Sequence, residues 1–168
     1  MHQKRYKVSK ILIAEDDNDL RKFIVDKILS LGSVEIIEME NGLDAFNYIK
    51  KESGSIDVII TDNNMPMMTG VELLERVSLL GNGASFKAII LVSALLESIE
   101  SKLPALAELV STVAPFYSYS KMEIVSNADK IIKDILFPEI YKVKRKINQE
   151  PEYRNLLKKQ YKACIEGE

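Results

Sequence analysis

Short apolar runs of strand length alternate with segments of helical period from Lys10 to about Phe137. This alternation is typical of a mostly parallel sheet that is covered by helices on both faces. Because five alternations can be counted, the sequence predicts an α/β fold of the doubly wound (βα)5 type with a five-stranded parallel sheet. The predicted strands are Ile11–Ala14, Val34–Met39 at an edge, Ile56–Thr61, Ala88–Val92 and Leu109–Val113.

The helices between these strands are predicted from apolar residues at helical spacing and from polar residues that can cap them. Pro104 should interrupt or restart a helix, so a short or broken helix is expected over Leu95–Leu109. The other predicted helices begin at Asp17 or Asn18, at about Gly42, at Thr69 or Gly70, and at Met122.

Composition and charge narrow the classes of function. The 168 residues are enough for one domain with a full core, and the net charge of -2 gives the whole molecule no electrostatic footprint for nucleic acid or an anionic membrane. No apolar run approaches the roughly 18 residues of a membrane span, and the basic start lacks the apolar stretch of a signal peptide. We therefore expect a cytoplasmic location and no membrane partner.

Cysteine and histidine are too scarce for several common kinds of site. Cys164 is the only cysteine and His2 the only histidine. Neither a disulfide within the chain, nor a Cys/His zinc cluster, nor a Ser-His-Asp triad can be assembled from them. The chemistry must come from carboxylates, hydroxyls and amines.

Oxygen-bearing side chains stand where three predicted strands end. Glu15 and Asp16 follow the first strand, Asp62 ends the third, and Ser93 ends the fourth. In a parallel sheet these positions meet in one crevice, where clustered carboxylates repel one another and favour a hard divalent cation such as Mg²⁺. One of the carboxylates can then act as a nucleophile and become an aspartyl phosphate. Each acidic residue alone is more often a solvated cap, whereas the combination favours a site.

Three motifs resemble the receiver domain of two-component response regulators, in particular the chemotaxis regulators. They are AEDD after the first strand, TDNNMPMMTG after the third and VSA after the fourth. The resemblance covers residues 8–137 and implies a flavodoxin-like strand order 2-1-3-4-5. It also implies a signalling switch that takes phosphate from a histidine kinase or phosphotransfer protein, acts on a downstream protein, and catalyses only its own phosphorylation and dephosphorylation.

The same resemblance assigns roles to single residues. It implies that Asp62 is the phosphoacceptor and that Glu15 and Asp16 hold Mg²⁺ together with Asp62. Asn64 would add its backbone carbonyl to the metal, and the Ser93 hydroxyl would turn toward the phosphoryl oxygens.

The fifth predicted strand departs from the family's pattern. The family places a lysine before a proline at the end of this strand, and with VAPF as the match Ala114 stands in that place. An aromatic switch residue is usual three positions earlier, where Ser111 stands. Lys121 lies seven residues further on and can reach back in principle, although capping or decorating the last helix is the simpler interpretation. These departures predict phosphorylation that is slower or less stabilised, with weakened or rerouted coupling to the face made by the fourth helix, the fifth strand and the fifth helix.

Two rival functions follow from the same residues. A degenerate receiver that binds partners regardless of phosphorylation is supported by Ala114 and Ser111. A metal-dependent phosphohydrolase with an aspartyl nucleophile is disfavoured, because Asn64 stands where such enzymes carry a second aspartate.

Residues 138–168 are predicted to form a helical extension beyond the receiver domain. Apolar residues recur there at helical spacing, among them Tyr153, Leu156 and Tyr161. The extension is predicted to fold back on its own domain, with a homodimer or partner helix as the alternative. About thirty residues cannot build a helix-turn-helix domain, so direct nucleic-acid binding is not expected.

Overall fold

Five parallel strands form one sheet in a computed structural model that describes residues 8–80 and 86–136. The strand order is β2-β1-β3-β4-β5, so the predicted fold and strand order are confirmed. The strands are β1 Lys10–Ala14, β2 Glu35–Met39, β3 Val58–Asp62, β4 Ala88–Ser93 and β5 Phe116–Ser120. The helices are α1 Asn18–Leu31, α2 Gly42–Glu52, α3 Gly70–Ser78, α4 Leu96–Ile99, α5 Leu103–Val110 and α6 Lys121–Leu136, with a short 3-10 turn at Ser53–Ser55.

Helices cover both faces of the sheet and so produce two apolar cores. Leu12 and Ile59 pack with α2, α3 and α5 on one face, whereas Ile13 and Ile60 pack with α1 and α6 on the other. Strands β1, β3 and β4 are apolar at successive positions because both of their faces are buried. Strand β2 lies at the sheet edge and is only partly buried, as its imperfect alternation predicts.

Capping residues set where the helices begin. The Asp17 carboxylate accepts hydrogen bonds from the first turn of α1, and Thr69 forms a reciprocal capping box with Glu72 at α3. Pro104 lies in the first turn of α5, where a missing N–H is tolerated, and α4 ends before it. The predicted broken helix is therefore confirmed. Helix α6 is also interrupted, because Asn127 has non-helical backbone angles.

The predicted fifth strand over Leu109–Val113 is wrong. Leu109 is part of helix α5, a turn follows, and the strand begins only at Phe116. A short apolar run with β-branched residues fits a helix end or a strand equally well, so periodicity cannot separate them. The real strand, FYSYS, alternates aromatic residues with serine and is recognisable by β propensity rather than by an apolar run.

The predicted extension over 138–168 lies outside the described residues. Within 8–80 and 86–136, none of the helices combines the length and apolar character that crossing a bilayer requires.

The turn between β3 and α3 is fixed by Asn63. Its backbone N–H donates to the Val92 carbonyl on β4, and its own carbonyl accepts from the N–H of Gly70. A Cβ atom built on Gly70 would lie 2.2 Å from the Asp62 carbonyl oxygen. Only glycine permits this approach, which holds the end of β3 against the start of α3.

Replacing Gly70 by alanine is expected to lower the free energy of unfolding by about 3 kcal/mol, because the added methyl group collides with backbone. Urea unfolding followed by circular dichroism measures the change. Gly54→Ala is the matched control, since a Cβ there meets nothing within 4 Å, and a change of less than about 1 kcal/mol is expected. Equal stability of the two variants would contradict the close approach at Gly70.

Candidate functional site

Three carboxylates meet at the carboxyl edge of the sheet. Glu15, Asp16 and Asp62 each place one oxygen within 4.8 Å of the others. Ala14 of β1 pairs with Thr61 of β3, so the next residues along the two strands, Glu15 and Asp62, emerge side by side. Glu15 and Asp62 are buried, whereas Asp16 is exposed. The structure thus brings together the three side chains that the sequence predicts as metal ligands.

The Asp62 carboxylate ends a wholly buried strand. Both of its oxygens are shielded from solvent, and within the described residues Oδ2 is paired with an ammonium group, that of Lys121, at 3.0 Å. Burying an ionised carboxylate without partners is costly, so such a group favours a nearby cation. A set of three carboxylates is the donor chemistry that Mg²⁺ prefers, and these residues therefore fit that ion.

The ammonium group of Lys121 lies between two of these carboxylates. Its Nζ is 2.9 Å from Glu15 Oε1 and 3.0 Å from Asp62 Oδ2. Lys121 directly follows β5 and is the first residue of α6. The prediction that Ala114 replaces the lysine is therefore wrong: Ala114 precedes β5, and Lys121 stands at the strand's end, followed by Met122 instead of proline.

Ser93 and Asn64 are positioned less completely. Ser93 is fully buried at the end of β4, where its Oγ accepts from the Leu95 N–H at 3.2 Å and its backbone pairs with Ser120 just before Lys121. Asn64 lies exposed in the turn after Asp62, and its side chain accepts from Asn63 Nδ2. The roles predicted for the Ser93 hydroxyl and the Asn64 carbonyl stay predictions.

Comparison with known proteins decides the family. The family model described as the response regulator receiver domain matches residues 11–107. This chain belongs to the response regulator receiver family. Receiver domains act as signalling switches in two-component systems, and magnesium and phosphoaspartate are typical of them.

Individual relatives match part of the receiver. The chemotaxis protein CheY homolog of Campylobacter jejuni (strain 81-176) is 35% identical over 68 residues, which are 40% of this chain and 52% of that protein. The chain thus spans about half the length of that curated relative. Among solved structures, a LuxR-family DNA-binding response regulator from Staphylococcus aureus is 28% identical with a TM-score of 0.53, covering 74% of this chain and 99% of that chain.

A second solved structure contains a receiver bound to another protein. It is the co-crystal of the Saccharomyces cerevisiae phosphotransfer protein Ypd1 with the receiver domain of Ssk1. The match has a TM-score of 0.58 and 20% identity and covers 79% of this chain and 91% of that chain. At this identity the likeness shows the fold alone.

The corrected fifth strand also moves the aromatic switch position of the receiver. Three residues before Lys121 is Ser118, which pairs with Leu91 between Tyr117 and Tyr119. Ser111, the residue that the sequence places there, instead follows the last turn of α5. Ser111 and Ser118 are both serines, so the departure from the family's aromatic residue stays a prediction.

Sequence reasoning treated Lys121 as a helix-capping or surface residue because it misplaced the fifth strand. The four residues 120–123, with the sequence SKME, contain a signal for the correct position of β5. Ser120 and Glu123 form a reciprocal capping box, in which the Glu123 carboxylate accepts from the Ser120 N–H and the Ser120 hydroxyl accepts from the Glu123 N–H. This motif places the helix start at Lys121 and hence the strand just before it.

Burial and charge shift the protonation of the site. The pKa of Glu15 is raised to about 7, chiefly by burial and also by the nearby Asp62, although the hydrogen bond from Lys121 acts in the opposite direction. Burial alone would lower the pKa of Lys121, but hydrogen bonds to Glu15 and Asp62 raise it above 10.5. Lys121 is therefore a permanent cation at neutral pH, whereas Glu15 titrates there.

Replacing Glu15 by glutamine should stabilise the magnesium-free receiver at alkaline pH. The pKa of Glu15 rises from 4.5 in the unfolded chain to about 7 on folding. Its contribution to stability is therefore present below about pH 4.5 and is lost as the pH rises through about 7. We expect Glu15→Gln to exceed wild type by on the order of 1–3 kcal/mol near pH 8, with the difference vanishing near pH 5.

Urea unfolding in EDTA across this pH range measures the effect. Asp16→Asn removes an exposed carboxylate from the same turn and should show no comparable gain. A Glu15→Gln advantage that is as large at pH 5 as at pH 8 would contradict the assignment.

Proposed function

We propose that this receiver accepts a phosphoryl group on Asp62 from the phosphohistidine of a histidine kinase or phosphotransfer protein. The phosphorylated chain then acts as a switch on a downstream protein. The observation that carries the proposal is the Lys121 ammonium, which lies between the buried carboxylates of Glu15 and Asp62 at 2.9 and 3.0 Å. The carboxyl edge of the sheet thereby carries a nucleophilic oxygen, a fixed cation and two further carboxylates.

The transfer exchanges one bond to phosphorus for another. An oxygen of the Asp62 carboxylate attacks the phosphorus atom in line with the P–N bond, which breaks as the P–O bond forms. The leaving nitrogen keeps the electron pair, and an imidazole that is protonated on its other nitrogen departs as the neutral ring. The product is an aspartyl phosphate.

Several residues of this chain would position and stabilise the group in transfer. The rigid end of β3 fixes the attacking oxygen, and the Lys121 ammonium can pair with a phosphoryl oxygen once it leaves the carboxylates. The buried Ser93 hydroxyl would donate to another phosphoryl oxygen. Glu15, Asp16, Asp62 and the Asn64 carbonyl would hold Mg²⁺, which when bound neutralises phosphoryl charge.

The partner assignment follows from this chemistry. A phosphohistidine donor must reach Asp62 from the exposed side of the β3–α3 turn, and the Ypd1–Ssk1 complex provides an example of a receiver bound to a phosphotransfer protein. The chain would catalyse only its own phosphorylation and dephosphorylation. The receiver boundary at residues 8–137, the homodimer alternative and the cytoplasmic location stay predictions.

The rival function is a binding module that ignores phosphorylation. Its main support was Ala114 in place of the lysine, and that support is removed because Lys121 reaches the carboxylates. The serine at position 118 is the remaining departure. We therefore do not favour the rival, and it becomes one outcome of the experiment below.

Incubation with phosphoramidate or acetyl phosphate and Mg²⁺ should add about 80 Da, the mass of one phosphoryl group, to the intact chain. The gain should be sensitive to hydroxylamine, absent in EDTA and absent in Asp62→Asn. Intact-mass spectrometry provides the measurement. Asp44→Asn, which changes an exposed carboxylate in the first turn of α2, is the matched control and should be modified like wild type. A wild type that also fails with a cognate kinase would contradict the proposal and favour the binding module.

Lys121→Met should slow this phosphorylation roughly 10- to 100-fold at saturating Mg²⁺, because a preorganised cation at the phosphoryl group is lost. Lys130→Met, which changes an exposed lysine of the same helix, should leave the rate unchanged. Time courses of the mass gain give both rates. Equal rates for Lys121→Met and wild type would show that the lysine has no part in the transfer.

A further inference from the structure

A second positively charged side chain, that of Arg21, lies next to the site and has no role in the phosphoryl transfer described above. Arg21, in the second turn of α1, is buried although its guanidinium is charged. Its Nη1 donates to the carbonyl oxygen of Glu15 at 2.6 Å, and its Nη2 donates to Asn18 Oδ1 at 3.0 Å. The same guanidinium reaches Glu38 at 3.2 Å and Glu40 at 3.1 Å, beside the end of β2.

The contact with the Glu15 carbonyl bears directly on Asp16. The carbonyl group of Glu15 and the N and Cα atoms of Asp16 belong to one planar peptide unit. When Arg21 holds that carbonyl, it also fixes the plane from which the Asp16 side chain projects. The contact therefore acts on a predicted metal ligand without touching it.

The orientation of the peptide plane affects the placement of the Asp16 side chain more than that of the Glu15 side chain. Glu15 is held through its N–H, which donates to the Met39 carbonyl at 3.0 Å, and through its carboxylate, which accepts from Asp17 N–H and Lys121. The exposed carboxylate of Asp16 has no hydrogen-bond partner within residues 8–80 and 86–136. No side-chain hydrogen bond orients it within those ranges, so the backbone sets the point from which it projects.

We propose that Arg21 is a positioning residue that orients the Glu15–Asp16 peptide so that Asp16 can bind Mg²⁺ together with Glu15 and Asp62. This inference rests on the proposed function, because it presumes a magnesium site at these carboxylates. Groups that orient metal ligands from behind commonly change metal affinity 10- to 100-fold when removed.

A purely structural role predicts a different result, and the chain offers variants that separate the two. Glu38 and Glu40 pair with Arg21 from the β2 side, and both are at least half exposed. The double change Glu38→Gln, Glu40→Gln weakens the tie between α1 and β2 but leaves the donor to the Glu15 carbonyl. Arg21→Met removes that donor, but the methionine side chain still fills the buried space that the aliphatic part of Arg21 occupies.

The test is calorimetric titration of the full chain with MgCl2. We expect about 10-fold weaker binding for Arg21→Met, binding within about 3-fold of wild type for the Glu38/Glu40 double variant, and loss of binding for Asp16→Asn. Urea unfolding confirms that each variant is folded. If Arg21→Met does not fold, Arg21→Gln, which keeps a polar group in the slot, replaces it with the same expectation.

The phosphorylation rate gives a second readout that a general loss of stability would not produce. For Arg21→Met, the Mg²⁺ concentration that gives half-maximal phosphorylation by phosphoramidate should rise about 10-fold, while the rate at saturating Mg²⁺ stays near that of wild type. A fall in the saturated rate with an unchanged half-maximal concentration would overturn the inference.

The outcomes separate this inference from the proposed function. Wild-type affinity in Arg21→Met, or an equal loss in the Glu38/Glu40 double variant, overturns the positioning role while the magnesium site stands. If wild type gives no Mg²⁺ binding at all, the proposed magnesium site fails, and the role of Arg21 toward it fails as well.

Discussion

The ion pairs of Lys121 with Glu15 and Asp62 offset part of the cost of burying two carboxylates at one edge of the sheet. The rest of the site depends on them, since a buried charge without a partner would destabilise the strand ends that hold it. Their formation requires β5 to run as far as Ser120 and α6 to begin at the next residue. A strand register and a capping box are thus as necessary to the site as its charged groups.

The central part of the fold is predictable because its strands are buried on both faces. Strands β1, β3 and β4 consist mainly of short runs of branched apolar residues, which are typical of buried strands. Strand β5 is different, since it lies at the sheet edge and contains serine and tyrosine. The apolar segment before it, α5, has the stronger hydrophobic signal although it is a helix.

The site divides along similar lines. The positions of Glu15, Asp16, Asp62 and Ser93 at the carboxyl edge of the sheet could be predicted from the sequence, because each stands where a predicted strand ends. The contacts of Lys121 and Arg21 could not, because both are made by long side chains whose partners are set by packing. Lys121 reaches a carboxylate 106 residues away along the chain, and Arg21 reaches a backbone carbonyl that no side-chain pattern encodes.

The close approach of Gly70 to the Asp62 carbonyl leaves no room for a side chain at position 70, beside the end of β3. Asn63 fixes the same turn by bonding to β4 on one side and to the start of α3 on the other. Helix α6 differs from this turn, because it is interrupted at Asn127. Both of its segments pack on the sheet, the first through Ile124 and the second through Ile131. The chain is thus closely packed where β3 leads into α3, whereas its last described helix consists of two segments that meet at Asn127.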